Sequence, residues 1–186
     1  MAILSELPRD LPVPQDDGAA DHLVGTTLPA ISLATTLGGQ IRLDELGSGR
    51  TVLYGYPMTG VPGVALPEGW DAIPGARGCT PQACAFRDHY EELSSLGVQV
   101  YGLSTQSTAY QKEMAERLHL PFPVLIDEKF ELCNRLRLPT MEVQGVRLLK
   151  RITLFLRDGK IEHCIYPVFP SDKSAEQAIT WLRSQK

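Results

Sequence analysis

No stretch of this 186-residue sequence approaches the ~20 consecutive apolar residues that a helix needs to cross a bilayer. The chain also has no basic excess. Its formal net charge is -4, which argues against non-specific nucleic-acid binding, since that needs a basic surface. The N-terminus has no basic region followed by an apolar stretch. Glu6, Asp10, Asp16 and Asp17 stand there among prolines instead, so it does not read as a secretory signal, and the expected compartment is the cytoplasm. Cysteines are few, four in all, and in that compartment they should rest as thiols. There is no Cys-x-x-Cys and no pair of cysteine pairs at zinc spacing. A metal centre is therefore not expected, nor is any cofactor.

What is present is ordinary globular composition, with 43% hydrophobic and 22% charged residues. The length suits one domain, or one domain with a tail. Residues 1–22 are rich in Pro, Asp and Gly without periodicity and read as an extended arm. Ordered structure is expected from Leu23, giving one domain over 23–186. Residues 31–35 and 40–43 flank Gly38-Gly39 as a hairpin. Thr51 to Tyr56 is a short apolar run that suits a central strand, ended by Pro57. Residues 58–78 hold too many prolines and glycines to be regular, and a loop this long is usually functional or mobile. A helix should follow, capped by Thr80, with Pro81 at its first position and Gly97 at its stop. Val98 to Leu103 is a second strand, so strand, helix and strand form a parallel βαβ unit. Further on, Ser107 caps a helix running to about Leu118, and 122–126 is a strand. A short helix spans about 129–136. Residues 146–156 and 161–166 read as strands around Arg157-Asp158-Gly159, and a last helix covers about 171–184. The fold class is α/β, a mixed central sheet with helices on both faces.

Two cysteines bracket the start of the first long helix. On a helical wheel, Cys79 falls within roughly 20–30° of the apolar stripe of Ala83, Phe86, Tyr90, Leu93 and Leu96. Cys84 falls roughly 160° away, facing out or lying under a neighbouring loop. A sulfur at a helix N-terminus meets free N–H groups and the positive end of the dipole, which favour the nucleophilic thiolate. Thiolate attack on a peroxide gives sulfenic acid, and a second thiol can condense with it to a disulfide. Five helical residues separate the two Cα atoms by roughly 8–9 Å, beyond the ~7 Å that a disulfide tolerates. A Cys79–Cys84 bond would need the first turns to unwind. The competing readings are two packing cysteines, which suit a capped helix start poorly, and a metal site, which the spacing disfavours.

Residues 78–88, Gly-Cys-Thr-Pro-Gln-Ala-Cys-Ala-Phe-Arg-Asp, resemble the peroxidatic motif of peroxiredoxins, in the branch called peroxiredoxin Q or bacterioferritin comigratory protein. Tyr54 to Pro57 is similar to that family's strand entering the active site. Arg151 to Phe155 resembles the strand that holds its arginine, and Asp158 to Glu162 its following hairpin. The likeness runs from about Val24 to the C-terminus. It implies a thioredoxin-like fold, with Cys79 peroxidatic, Cys84 resolving, and Arg151 stabilising the thiolate and polarising the peroxide. A guanidinium suits that role, being permanently charged with a planar fork of donors. It implies reduction of hydrogen peroxide or small organic hydroperoxides, with electrons from thioredoxin or a similar dithiol protein. The branch is often monomeric; an insertion beside the site leaves a dimer open.

One feature departs from the family. Its proline seven residues before the cysteine and its threonine three before are here Ala72 and Ala76. Pro57 and Thr59 stand where a shorter loop would have them, with 58–78 inserted. Either the loop folds out and returns, so that Pro57 and Thr59 line the pocket, or Thr80 or backbone N–H groups replace the hydroxyl. Two other functions stay open: a protein thiol–disulfide oxidoreductase, and a non-catalytic thioredoxin-like redox sensor or binding domain. Cys133 and Cys164 read as packing residues, and His89 and His163 as structural or surface groups. Trp70 is either a lid or a groove filler. Arg87 and Asp88 form an ion pair, and Gln82 sits near the arginine.

Overall fold

The structure is a computed structural model that describes residues 7–46 and 49–185. Seven strands form one mixed sheet. They are β1 (Ser32–Thr35), β2 (Gln40–Arg42), β3 (Arg50–Gly55), β4 (Val98–Ser104), β5 (Val124–Ile126), β8 (Ile152–Arg157) and β9 (Lys160–Ile165), in the order β2-β1-β5-β4-β3-β8-β9. The strands β3, β4 and β5 are parallel neighbours, and every other pairing is antiparallel. A separate hairpin joins β6 (Thr140–Val143) to β7 (Val146–Leu149). The helices are α1 (Cys79–Asp88), α2 (Tyr90–Ser95), α3 (Thr108–Arg117), α4 (Glu131–Leu136) and α5 (Ser174–Ser184).

Alternation along the strands builds two cores. Val52 and Tyr54 of β3 and Phe155 of β8 point to the face covered by Phe86, Leu93, Met114 and Ile179. Leu53, Leu154 and Leu156 point to the other face, against Leu23, Leu132 and Leu136. Both faces are thus covered, as the near-continuous apolar run of β3 requires. The Tyr54 and Phe86 rings stack at 4.2 Å, which ties α1 to the central strand.

Several local expectations change. Thr80 does not cap α1: it lies inside the first turn, and Gly78 occupies the cap position at φ 106 without a side-chain cap bond. Pro81 is the third helical residue, where its missing N–H still loses nothing. The expected single helix to Gly97 is interrupted at His89 (φ -100), although the bonds from His89 N to Ala85 O (3.1 Å) and from Leu93 N to His89 O (3.0 Å) carry the ladder past it. The expected strand over 146–156 is two strands in different sheets. The chain leaves the hairpin at Lys150, whose N–H bonds Pro139 O at 2.8 Å, and enters β8 one residue after Arg151. The β6–β7 turn has φ 51 at Gln144 and 78 at Gly145, the two positive values that a tight two-residue hairpin demands.

Residues 7–22 contain no helix or strand, and the expected arm's first six residues lie outside the described ones. This segment packs along the loop before Cys79. Pro14 sits beside Gly75, and the Asp17 carboxylate accepts from Lys150 Nζ (2.7 Å) and from the Tyr166 hydroxyl (2.8 Å). The loop itself holds only a single 3-10 turn, Trp70–Ala72. Trp70 is buried with Ala76, Val143 and Leu148 as a small core of its own.

Candidate active site

The parallel βαβ unit places Cys79. The loop leaving the C-terminal end of β3 returns to start α1 there, the edge of a parallel sheet where α/β proteins gather ligands. A left-handed turn at Gly78 aims the chain into the helix. An added Cβ at Gly78 would meet Ser171 Oγ at 2.0 Å and Leu7 Cδ2 at 2.7 Å, so only glycine fits. Cys79 begins α1 and is 3% exposed. The amides of Cys79 and Thr80 precede the first intrahelical bond, from Gln82 N to Gly78 O, and the positive end of the helix dipole lies at the cysteine.

Arg151 arrives from the opposite direction. Ile152 pairs with Gly55, so the residue before it emerges at the same end of β3. Its buried guanidinium donates from Nη2 to Cys79 Sγ at 3.2 Å, to Ala76 O at 3.0 Å and to Arg77 O at 3.2 Å. Nη1 donates to Gln82 Oε1. The arginine therefore faces the sulfur and also holds the two carbonyls preceding it. A lysine ammonium lacks the planar fork to do all of this. The Cys79 thiol in turn points at Ala76 O, 3.6 Å away.

Thr80, 4% exposed, lines the small crevice above Cys79 together with Met58, Gly60, Leu66, Trp70 and Arg77. Pro57 and Thr59 are buried beside that crevice but do not line it. Thr59 belongs to a glutamine network instead. Its hydroxyl donates to Gln106 Oε1 (3.2 Å) and accepts from Gln111 Nε2 (3.0 Å), and the Tyr110 hydroxyl donates to its carbonyl (2.9 Å). The Tyr56 hydroxyl closes the network on Gln111 Oε1 at 2.6 Å. The loop folds out and returns so that Met58 and Trp70 line the crevice with Cys79, while the Thr59 hydroxyl is engaged by Gln106 and Gln111.

Cys84 lies in the same helix, half-buried and packed against the core at Tyr54's side of the sheet. Burial pushes its thiol up from the usual cysteine value, and Arg87 beside it pulls part of the way back. Arg87 also donates to Leu118 O at 2.9 Å, which places Cys84 beside the turn after α3. All four cysteines are free thiols. Cys133 is fully buried and its thiol is pushed far up by burial; Cys164 is pushed up to about 12, mainly by burial. Neither is near the crevice, and both fit a packing role. His163 stacks on Trp181 at 4.6 Å, and His89 meets Glu92 at 3.1 Å, both away from Cys79.

Sequence reasoning missed Arg77, Met58, Gln106 and Gln111. Arg77 is buried and pairs with Asp71 at 3.3 Å across the loop turn, a contact that nothing in local periodicity announces. No group of three or more His, Cys, Asp or Glu side chains among the described residues is arranged to hold a metal ion.

Comparison with known proteins gives one consistent result. The family model described as Redoxin matches residues 23–179. Peroxiredoxin Bcp of Escherichia coli K12 is 29% identical over 163 residues, covering 86% of this chain and 94% of its own. The chloroplastic peroxiredoxin Q of Sedum lineare is 27% identical over 162 residues, covering 87% and 78%. Among solved structures, peroxidoxin BcpB of Mycobacterium tuberculosis superposes with a TM-score of 0.71 at 26% identity, covering 89% of this chain and 99% of the other.

Proposed function

The chain belongs to the redoxin family, and we propose on that footing that it is a thiol-dependent peroxidase in which Cys79 attacks the peroxide. The observation that carries this reading is the buried Arg151 guanidinium, 3.2 Å from Cys79 Sγ at the start of α1. A permanent cation and the positive end of α1 therefore face the sulfur. They also face the oxygens on which charge develops as the peroxide bond breaks.

In the first step, the Cys79 thiolate attacks the terminal oxygen of the hydroperoxide. A sulfur–oxygen bond forms, the oxygen–oxygen bond breaks, and the alkoxide or hydroxide leaves and takes a proton. Cys79 becomes a sulfenic acid, oxidised by two electrons, and the peroxide is reduced to alcohol or water. In the second step, the Cys84 thiol displaces water from that sulfenic acid to give a Cys79–Cys84 disulfide. A dithiol protein of the thioredoxin kind then returns both sulfurs to thiols.

Both cysteines lie within α1, at a separation that helical geometry sets at roughly 8–9 Å between Cα atoms. Resolution therefore requires the first turns of α1 to unwind. The same unwinding carries Cys84 out of the burial that holds its proton on, so exposure and activation of the second thiol coincide. We read residues 23–186 as one domain carrying an inserted loop at 58–78, acting in the cytoplasm as a monomer, with a dimer through that loop left open. No helix among the described residues is long and apolar enough to cross a membrane.

The test is peroxide consumption by the purified protein with a dithiol reductant, followed by mass mapping after one equivalent of peroxide. Cys79→Ser is expected to abolish consumption. Cys84→Ser is expected to leave the first oxidation intact and to leave Cys79 as sulfenic or sulfinic acid. Undiminished activity in Cys79→Ser refutes the reading. Insulin reduction without peroxide consumption points to a protein oxidoreductase.

A further inference from the structure

Unwinding the first turns of α1 displaces the chain around Gly78, and residues 7–17 lie across that point. The Leu7 side chain rests on Gly78: a Cβ there would stand 2.7 Å from Leu7 Cδ2, with Ser171 Oγ closer still on the other side. Earlier in the loop, Pro14 sits against Gly75, 3.5 Å from where a Cβ would be. The far end of the segment is fastened to the sheet. Asp17 Oδ2 accepts from Lys150 Nζ at 2.7 Å, between β7 and β8, and Oδ1 accepts from the Tyr166 hydroxyl at 2.8 Å, just after β9. Between these points the seat is sparse. Pro14 and Gln15 border a cavity of about 250 Å3 that Pro74 and Arg151 also line, and Val13 turns outward, 65% exposed. Pro8, Pro12 and Pro14 stiffen the segment, which has no strand partner. A strap with one firm anchor and few other contacts detaches at little cost.

We infer that segment 7–17 is a strap that latches the loop before Cys79, and that it must lift from Gly75 and Gly78 before α1 can unwind and bring Cys84 to the oxidised sulfur. This rests on the two-cysteine reading and deepens it. The family model begins at residue 23, so the strap lies outside the part of the chain that the family shares. Its consequence is a choice of fate for the Cys79 sulfenic acid. While the strap is seated, the sulfenic acid waits beside Arg151, where a second hydroperoxide can pass an oxygen to it, giving sulfinic acid and alcohol or water. Once the strap lifts, the Cys84 thiol displaces water from the sulfenic acid and the disulfide forms. The strap therefore sets the ratio of the two products without touching the first attack on peroxide.

The experiment takes the pre-reduced full chain through single turnovers with hydrogen peroxide, quenched in acid and mapped by mass. It reads the rate of Cys79 oxidation, the rate of Cys79–Cys84 disulfide formation, and the peroxide concentration at which half of Cys79 ends as sulfinic acid. Asp17→Asn loosens the anchor, and Leu7→Ala removes the seat on Gly78. Neither residue lines the Cys79 crevice, and Asp17 is 45% exposed, so folding and the first oxidation should survive. Each variant should raise the disulfide rate and the half-point together by about two- to fivefold. Asp17→Glu, which keeps the anion, should stay near the parent. Acetylation of Lys150 in the parent should rise when the disulfide forms, to about the level seen in reduced Asp17→Asn. Unchanged or slower disulfide formation in both loosening variants overturns the inference and leaves the peroxidase reading standing. Lys150 labelling that ignores the disulfide also overturns it, because the strap then stays seated. A parent protein that consumes no peroxide, or never forms the Cys79–Cys84 disulfide, overturns the underlying reading instead.

Discussion

Replacing Arg151 by methionine keeps the length of the side chain and removes its charge and all its donors. Nη2 lies 3.2 Å from Cys79 Sγ. At an effective dielectric of about 20, opposite unit charges at that distance attract by about 5 kcal/mol. Only the share that strengthens as charge moves onto the peroxide oxygens affects the rate. Loss of one such donor typically removes about 3–4 kcal/mol, or roughly a hundred- to thousandfold in rate. Arg151→Met should therefore slow the second-order reaction with hydrogen peroxide by that factor. Arg151→Lys retains the charge but cannot span the Ala76 and Arg77 carbonyls and Gln82 at once, and should fall between, at roughly ten- to a hundredfold. The Arg77 carbonyl and the Gln82 amide oxygen, deprived of this donor, also destabilise the fold, by roughly 1–3 kcal/mol each. For a chain of this size that lowers Tm by about 2–4 °C per kcal/mol. The assay is stopped-flow oxidation of pre-reduced protein, run at a temperature where circular dichroism shows each variant folded. A folded Arg151→Met protein within about threefold of the parent would refute the role given to the guanidinium.

The carboxylate of Asp17 sits well below its ordinary value, at about 2, chiefly through its bonds to Lys150 and Tyr166. A depressed carboxylate contributes stability above its unfolded value near 3.8 and loses it as pH falls toward 2. Its side chain is 45% exposed, so the contribution should be below about 1 kcal/mol. Asp17→Asn should accordingly lower the urea midpoint slightly at pH 6 and not at pH 2; an equal loss at both would contradict the ion-pair account. Gly78→Ala should destabilise by about 2–4 kcal/mol, because φ 106 and the Ser171 and Leu7 contacts both oppose a Cβ. Adding Ser171→Gly should recover part of the loss in thermal unfolding, and no recovery would mean that the dihedral alone matters. Thr59→Val should lower stability by about 1–3 kcal/mol while changing the peroxide rate constant less than about threefold. A hundredfold loss of rate would show that the Thr59 hydroxyl reaches the substrate.

The sequence alone determined the elements whose cause is local. The apolar run Thr51–Tyr56, the Ser107 cap with its bond from Tyr110 N, and the stripe of Ala175, Ala178, Ile179 and Leu182 needed only period and cap chemistry. The helix starting at Cys79 was legible for the same reason, and with it the inward placing of Cys79; Cys84, expected on the opposite face, packs half-buried against the same core. The β6–β7 hairpin left a trace in Gln144-Gly145, a turn-forming pair just before the strand expected over 146–156. Arg151 was found only through resemblance, because nothing local distinguishes it from other strand arginines. Its meeting with a sulfur 72 residues away depends on β8 pairing with β3 in one register. Resemblance offered Thr59 as one way of lining the pocket, and in the fold its hydroxyl is engaged by Gln106 and by Gln111 of α3, partners that no local pattern announces. The return of residues 58–78 over the site, with Trp70 anchored on the β6–β7 hairpin, was likewise decided by long-range packing. Local propensity fixes dihedrals and faces; which faces meet is settled by sheet register and core closure, and in this protein the nucleophile belongs to the first and its surroundings to the second.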